Sequence, residues 1–110
     1  MQQITASQLA EKLAALVEQG SALPLLLDVR EPGEWEICHI AGSQLIPMQS
    51  VPARLGELNA EQEIVCICHH GMRSAQVGHF LERNGFDNVI NLAGGIDAWA
   101  TQIDPRMRRY

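Results

Sequence analysis

The feature of this sequence that most restricts its fold is the alternation of short apolar runs with stretches of helical periodicity. Four runs are candidate strands: residues 25–29, 43–47, 64–68 and 89–92. The run Ile64-Val65-Cys66-Ile67-Cys68 is the clearest, because an uninterrupted apolar run is typical of a strand that is buried on both faces. Strands that alternate with helices predict a parallel sheet with helices on both of its faces.

Capping and turn residues predict where the helices begin and end. Thr5 or Ser7 can cap a first helix, whose apolar residues recur at helical spacing as far as Gly20. Further helical stretches are predicted after Pro32, over 74–84 with Gly85 as a left-handed terminator, and over 96–100. We expect a short helix and a turn over 48–58 and irregular structure over 104–110.

Length and composition exclude several classes of protein. The chain has 110 residues, of which 46% are hydrophobic and 19% charged, so we expect residues 1–110 to form a single globular domain. A net charge of −5, the lack of a basic stripe and an aromatic content of 5% argue against a nucleic-acid partner. No apolar stretch approaches the roughly 20 residues of a membrane span, and the first residues do not resemble a signal peptide. We therefore expect a cytoplasmic protein with no membrane partner.

The chain has three cysteines, Cys38, Cys66 and Cys68. An odd number without a secretion signal argues against a disulfide framework, which leaves packing, metal binding or reactivity as roles for the thiols. Cys66 lies two residues before Cys68 and shares its face of the strand, and we expect both Cys66 and Cys38 to pack as small buried hydrophobes. Cys66, Cys68, His69 and His70 match no common zinc spacing, so the sequence predicts no metal and no cofactor.

The segment Cys68-His69-His70-Gly71-Met72-Arg73-Ser74 combines the features of an anion site with a nucleophile. Cys68 ends a buried strand, and ligands of parallel sheets bind at the carboxyl ends of the strands. A short loop that contains a glycine and leads into a helix can turn several backbone N–H groups inward. The helix dipole and the charge of Arg73 both favour a thiolate, so we expect Cys68 to be the nucleophile of a site that binds anions.

Three further segments of the sequence help to interpret this loop. They read, in chain order, Asp28-Val29-Arg30-Glu31-Pro32-Gly33-Glu34-Trp35, His39-Ile40-Ala41-Gly42-Ser43 and Gly94-Gly95-Ile96-Asp97-Ala98-Trp99. Together with the loop, they resemble the D-V-R-x-x-x-E-[FYW], H-I-x-G-[AS], active-site and G-G-[ILFV]-x-A-W motifs of the rhodanese family of sulfurtransferases, in the family's order. The resemblance extends over almost the whole chain. It implies a rhodanese-like three-layer α/β/α fold whose central, mostly parallel sheet has about five strands with helices on both faces.

The resemblance also implies a reaction. A catalytic cysteine takes a sulfane sulfur from a small anionic donor such as thiosulfate and passes it, as a persulfide, to cyanide or to a thiol of a protein or small molecule. On that basis Cys68 is the catalytic residue and persulfide carrier. The active-site loop that binds substrate is made of the following residues: His69, His70, Gly71, Met72, Arg73 and Ser74. Within it, Arg73 helps to bind the anion.

Loop length separates this interpretation from a related one. Protein tyrosine phosphatases place five residues between cysteine and arginine, whereas four residues separate Cys68 from Arg73. The shorter loop resembles the sulfurtransferase form, so chemistry of the phosphatase or arsenate-reductase kind is the less favoured alternative. A third possibility is a module that carries or senses sulfur for a protein partner and turns over little of any small donor.

Two departures from the common family pattern suggest a physiological context. Cys38 stands before His39-Ile40 where the family usually has glycine, and Trp99 is followed by Ile103-Asp104-Pro105 and then Tyr110. Both features are similar to rhodanese domains fused to adenylyltransferases that activate sulfur carriers. This similarity implies a sulfur-carrier protein as a further partner.

The remaining polar and aromatic residues have structural interpretations. Asp28 and Arg30 are expected to form an ion pair near the active-site loop, and His39 to cap or hydrogen-bond a loop, so these three residues support the site. His69 and His70 lie at its rim, where an imidazolium beside the thiolate would help it modestly. We expect Trp35 and Trp99 to lie in the core.

Overall fold

In the computed structural model, which describes residues 1–110, five parallel strands form one sheet. The strands are β1 (Gln2–Ile4), β2 (Leu25–Asp28), β3 (Gln44–Leu45), β4 (Ile64–Ile67) and β5 (Val89–Leu92), in the order β1-β5-β4-β2-β3. The helices are α1 (Ala6–Glu18), α2 (Pro32–Ile37), α3 (Met72–Arg83) and α4 (Gly95–Gln102). This confirms the predicted α/β class with its parallel sheet of five strands.

Each face of the sheet is covered by its own apolar cluster. On one face, Val65 and Ile67 of β4 pack with residues of α1 and α4, among them Leu9 and Trp99. On the other face, Ile64, Cys66 and Cys68 pack with α3 and with the segment that follows β3. The alternation of side chains along β4 therefore places Cys66 and Cys68 on the same face, as the sequence predicts, and the structure shows that α3 covers this face.

Local signals account for most of the helix boundaries. The Thr5 hydroxyl accepts from the amide of Gln8, and the Gln8 side chain accepts from the amide of Thr5, so that the two form a capping box at the start of α1. Pro32 occupies the first turn of α2, where its missing N–H costs nothing. Gly85 follows α3 with a φ of 88°, the left-handed conformation predicted for it.

The structure corrects three predictions of detail. Helix α3 begins at Met72, two residues before the predicted Ser74, because Gly71 with a φ of 108° serves as its N-cap. The predicted short helix within 48–58 is instead two 3₁₀ turns, Met48–Ser50 and Leu55–Glu57. Trp35 is half-buried rather than part of the core, because its ring stacks on the exposed His39. Trp99 does lie in the core.

The strand register brings the residues of the site together. Asp28 pairs with Ile67, and Cys66 pairs with Asn91, so the carboxyl ends of β2, β4 and β5 lie side by side. Segments that leave these ends must therefore meet above the middle of the sheet.

The longest helix, α1, has 13 residues, and none of the four helices combines the length and the apolar character that crossing a membrane requires.

Candidate active site

Cys68 lies at the carboxyl end of the central strand, and its side chain is held by two polar contacts. The amide of Gly71 donates to Sγ over 3.1 Å, and the Ser74 hydroxyl lies 3.3 Å from the same sulfur. A Cys68 thiol can donate to Ser74, whereas a thiolate can accept from Gly71. Cys68 is buried, with only 1% of its surface exposed.

The backbone of the loop leaves most of its N–H groups without acceptors. Of the loop amides, that of Gly71 donates to the Cys68 sulfur. The other loop amides donate no hydrogen bond to any group of the chain; they belong to His69, His70, Met72, Arg73 and Ser74. Three of these amides, from Met72 to Ser74, belong to the first turn of α3, where backbone N–H groups have no intrahelical acceptor. Together with the positive end of the helix dipole, they offer hydrogen-bond donors to an anion.

Helix α4 fixes the other side of the loop. The amide of Ile96 donates to the Cys68 carbonyl over 2.8 Å, and the amide of Asp97 donates to the His69 carbonyl over 3.1 Å. The N–H and C=O groups flanking a trans peptide bond point in opposite directions, so the amides of His69 and His70 are turned away from α4. Gly95 permits this approach, since a Cβ at that position would lie 2.4 Å from the Cys68 carbonyl oxygen.

A buried amide side chain, Asn91 of β5, ties the loop to the sheet. Its Oδ1 accepts from the Ser74 hydroxyl, and its Nδ2 donates to the Gly71 carbonyl over 3.1 Å. Asn91 is 3% exposed. Sequence reasoning did not identify this residue, although a single amide inside the apolar strand Val89–Leu92 is a signal that could have found it.

Two ion pairs and a tyrosine form a continuous chain beside the loop. Asp28 pairs with Arg30 over 2.7 Å, and Arg73 pairs with Glu34 through contacts of 2.7 Å and 2.9 Å. The Tyr110 hydroxyl joins the two pairs, because it accepts from Arg30 over 2.9 Å and donates to Glu34 over 2.7 Å. The charge of Arg73 is therefore balanced by Glu34.

The protonation states in this chain follow from its contacts. Hydrogen bonds from Arg73 are the main reason that the pKa of Glu34 falls to about 2, so its carboxylate stays charged near neutral pH. Burial raises the pKa of Tyr110 to about 12, so the phenol keeps the proton that it donates to Glu34.

The two loop histidines form a stack with Tyr110 at the rim of the site. The His69 ring lies between the rings of His70 and Tyr110, with centroid distances of 4.2 Å and 4.0 Å. Burial lowers the pKa of His69, which favours a neutral imidazole over the imidazolium that could have assisted the thiolate. Met72 is exposed at the same rim.

The residues that the sequence assigns to structural support make several polar contacts. Arg30 is fully buried and also donates to the Cys38 carbonyl over 2.7 Å. His39 donates from Nδ1 to the Trp35 carbonyl over 2.9 Å at the end of α2. Cys38, Cys66 and Cys68 are all unpaired and buried. Burial raises the pKa of the Cys66 thiol to about 12.

One group of side chains has the composition of a metal site. Ligand atoms of His69, His70 and Asp97 lie within 4.8 Å of one another. The Asp97 carboxylate, however, is already paired with Arg109 over 3.3 Å. We assign no metal to this group.

Comparisons with known proteins show the family of the chain. The family model described as "Rhodanese-like domain" matches residues 9–102. The chain is 41% identical over 87 residues to the "Probable adenylyltransferase/sulfurtransferase MoeZ" of Mycobacterium tuberculosis, an alignment that covers 77% of this chain and 22% of MoeZ. It is 32% identical over 89 residues to the "Thiosulfate sulfurtransferase GlpE" of Pseudomonas fluorescens, covering 81% of this chain and 79% of that protein.

A solved structure gives the same result for the fold. The crystal structure of a rhodanese-like domain protein from Staphylococcus aureus superposes with a TM-score of 0.80 at 35% identity, covering 90% of this chain and 91% of that one. The fold and the site together define a class of protein: a parallel α/β domain with a cysteine loop at the carboxyl edge of its sheet. The chain belongs to the rhodanese-like domain family.

Proposed function

We propose that this chain is a sulfurtransferase that carries sulfane sulfur on Cys68 as a persulfide. The observation that carries the proposal is the position of Sγ, which accepts from the Gly71 amide at the centre of a loop whose other amides are free. Such a loop can hold the charge of a thiolate, of a persulfide and of an anionic donor in turn.

The proposed reaction has two steps. The Cys68 thiolate attacks the outer sulfur of a donor such as thiosulfate; a new S–S bond forms, the old one breaks, and sulfite leaves with the electron pair. The persulfide's outer sulfur then passes to cyanide, which gives thiocyanate, or to a thiol, and the Cys68 thiolate is regenerated. The thiol can belong to a small molecule or to a protein.

The names of similar proteins support this choice of chemistry. The Pseudomonas relative is named a thiosulfate sulfurtransferase, and the alignment covers most of both chains. MoeZ is named an adenylyltransferase and sulfurtransferase, and this chain spans about a fifth of its length. That relationship favours a sulfur-carrier protein as the physiological acceptor. Sulfur-loaded protein should then transfer sulfur to a carrier with an adenylated C-terminus, and a lack of transfer would exclude this acceptor.

Mass spectrometry and a turnover assay test the proposal. Incubation with thiosulfate should add about 32 Da, one sulfur atom, to the peptide that contains Cys68. Cys68→Ala should abolish both this adduct and the formation of thiocyanate, whereas Cys66→Ala should retain both, because Cys66 lies within β4 in the apolar cluster and only the Cys68 sulfur contacts the loop. Cyanide turnover that survives Cys68→Ala would contradict the mechanism. An adduct without turnover would indicate a module that carries sulfur, and release of phosphate from an aryl phosphate would indicate phosphatase chemistry.

A further inference from the structure

The arginine of the Cys68 loop and two arginines of neighbouring segments each have a close acidic partner. Arg73, the cation that belongs to the loop itself, makes a bidentate pair with Glu34. The other cations next to the loop are Arg30, which pairs with Asp28, and Arg109, which pairs with Asp97. The loop can therefore offer an anion the dipoles of backbone amides but little net positive charge.

Glu34 is held firmly in its compensating position. Both of its carboxylate oxygens accept from Arg73, and Oε2 also accepts from the Tyr110 hydroxyl. Its side chain is 20% exposed and that of Arg73 is 33% exposed, so water screens the pair less than it would screen charges on an open surface. Any positive charge that Arg73 presents to an anion in the loop is therefore accompanied by the negative charge of the Glu34 carboxylate.

The charge of the sulfur donor should therefore affect how well the site uses that donor. Thiosulfate brings two negative charges to a thiolate, whereas a persulfide of a thiol brings one at its reacting end. On the basis of the proposed function, we propose that the site favours sulfane-sulfur donors with one negative charge over thiosulfate, and that Glu34 is the residue that determines this specificity.

Both donor classes react by a balanced step. With a persulfide, the Cys68 thiolate bonds to the outer sulfur, the R–S–S bond breaks, and the thiolate R–S⁻ leaves with the electron pair. Methanethiosulfonate, CH₃SO₂–S⁻, reacts in the same way and releases methanesulfinate. It differs from thiosulfate by a methyl group in place of one charged oxygen, so the two compounds form a matched pair that differs in charge.

The first test compares kcat/KM for these two donors, with cyanide as the acceptor. In Glu34→Gln the amide can still accept from Arg73, but the negative charge is gone. We expect kcat/KM for thiosulfate to rise relative to that for methanethiosulfonate by about three- to tenfold at low salt, and the change to shrink in high salt. Glu36→Gln, an exposed position of α2 with the same change in net charge, should leave the ratio unaltered. A gain of this kind cannot result from misfolding.

The second test does not depend on sulfur transfer. Alkylation of Cys68 by iodoacetate, an anion, is compared with alkylation by neutral iodoacetamide, each followed by mass spectrometry of the Cys68 peptide. Glu34→Gln should raise the ratio of the two rate constants, and Glu36→Gln should not.

The outcomes separate the two proposals. If Glu34→Gln changes neither the donor ratio nor the alkylation ratio, the role of Glu34 in specificity is wrong, even though the enzyme transfers sulfur. If the alkylation ratio changes but no donor gives turnover or a persulfide, the electrostatic role of Glu34 stands and the sulfurtransferase function is wrong.

Discussion

At the scale of the residue, Cys66 and Cys68 show how two adjacent positions on one strand face acquire different chemistry. Cys66 lies within the apolar cluster between the sheet and α3. Cys68 lies one step beyond the strand, where the Gly71 amide and the Ser74 hydroxyl reach its sulfur. The sequence predicts this difference, because the strand ends at Cys68 and the polar loop begins immediately after it.

We predict that alkylation will distinguish the two thiols. Burial raises the pKa of Cys66 to about 12, so only about one Cys66 thiol in a thousand is ionised at pH 9. Iodoacetamide at pH 8 to 9 should modify Cys68 and leave Cys66 unmodified in the native protein, as measured by mass spectrometry of the two positions. In guanidinium chloride both should react. Equal labelling of Cys66 and Cys68 in the native state would contradict the burial of Cys66.

Arg73 marks the limit of reasoning from a single residue. The spacing to Cys68 predicts the place of Arg73 in the loop. It does not predict that the charge of Arg73 is paired, because the partner, the Glu34 carboxylate, comes from a position 39 residues earlier. The motif around Asp28 contains Glu34, and only the path of α2 shows that this carboxylate faces Arg73.

At the scale of the element, the N-terminus of α4 holds the active-site loop from behind. Two amides of its first turn, which have no acceptor within the helix, donate to the carbonyls of Cys68 and His69. These bonds account for the close approach of Gly95 to the loop. The sequence predicts the turn and the helix here, yet the partners of their amides depend on how β4 and β5 are placed in the sheet. The strand β1 was missed for a similar reason: Gln2-Gln3-Ile4 has no strand pattern and is a strand only through its pairing with β5.

We predict that Gly95→Ala will disrupt the loop. The new Cβ would lie 2.3 Å from the His69 carbonyl oxygen, and the φ of 61° is unfavourable for alanine, so we expect a loss of about 1–3 kcal/mol in the free energy of unfolding. Sulfur transfer should fall as well, because the loop carbonyls must move. Chemical denaturation and the thiocyanate assay measure the two effects.

Gly56→Ala is the control for this substitution, since a Cβ at Gly56 meets no atom within 4 Å and its φ is not positive. Gly56→Ala should change the free energy of unfolding by much less than Gly95→Ala does. Equal stability of the two variants would show that the contact between α4 and the loop is not required.

At the scale of the whole molecule, the site is assembled from segments at opposite ends of the sequence. Tyr110 contacts Arg30 and Glu34, and Asn91 contacts Gln3, across separations of 76 to 88 residues. Motifs predicted the loop, its supporting Asp28–Arg30 pair and the fold, because each of these is encoded by neighbouring residues. They did not predict that Tyr110 folds onto the loop, because irregular structure over 104–110 carries no periodic signal.

The last prediction concerns this return of Tyr110 to the site. Tyr110→Phe keeps the ring that stacks on His69 but removes the hydroxyl that joins the two ion pairs. The fully buried Arg30 then loses its 2.9 Å acceptor, so we expect the free energy of unfolding to fall by about 1–2 kcal/mol. Arg108→Ala, an exposed position two residues earlier, should have little effect in the same urea titration. If the two variants unfold at the same urea concentration as the wild type, the hydroxyl makes no net contribution, and Glu34 is held by Arg73 and by the Glu31 amide.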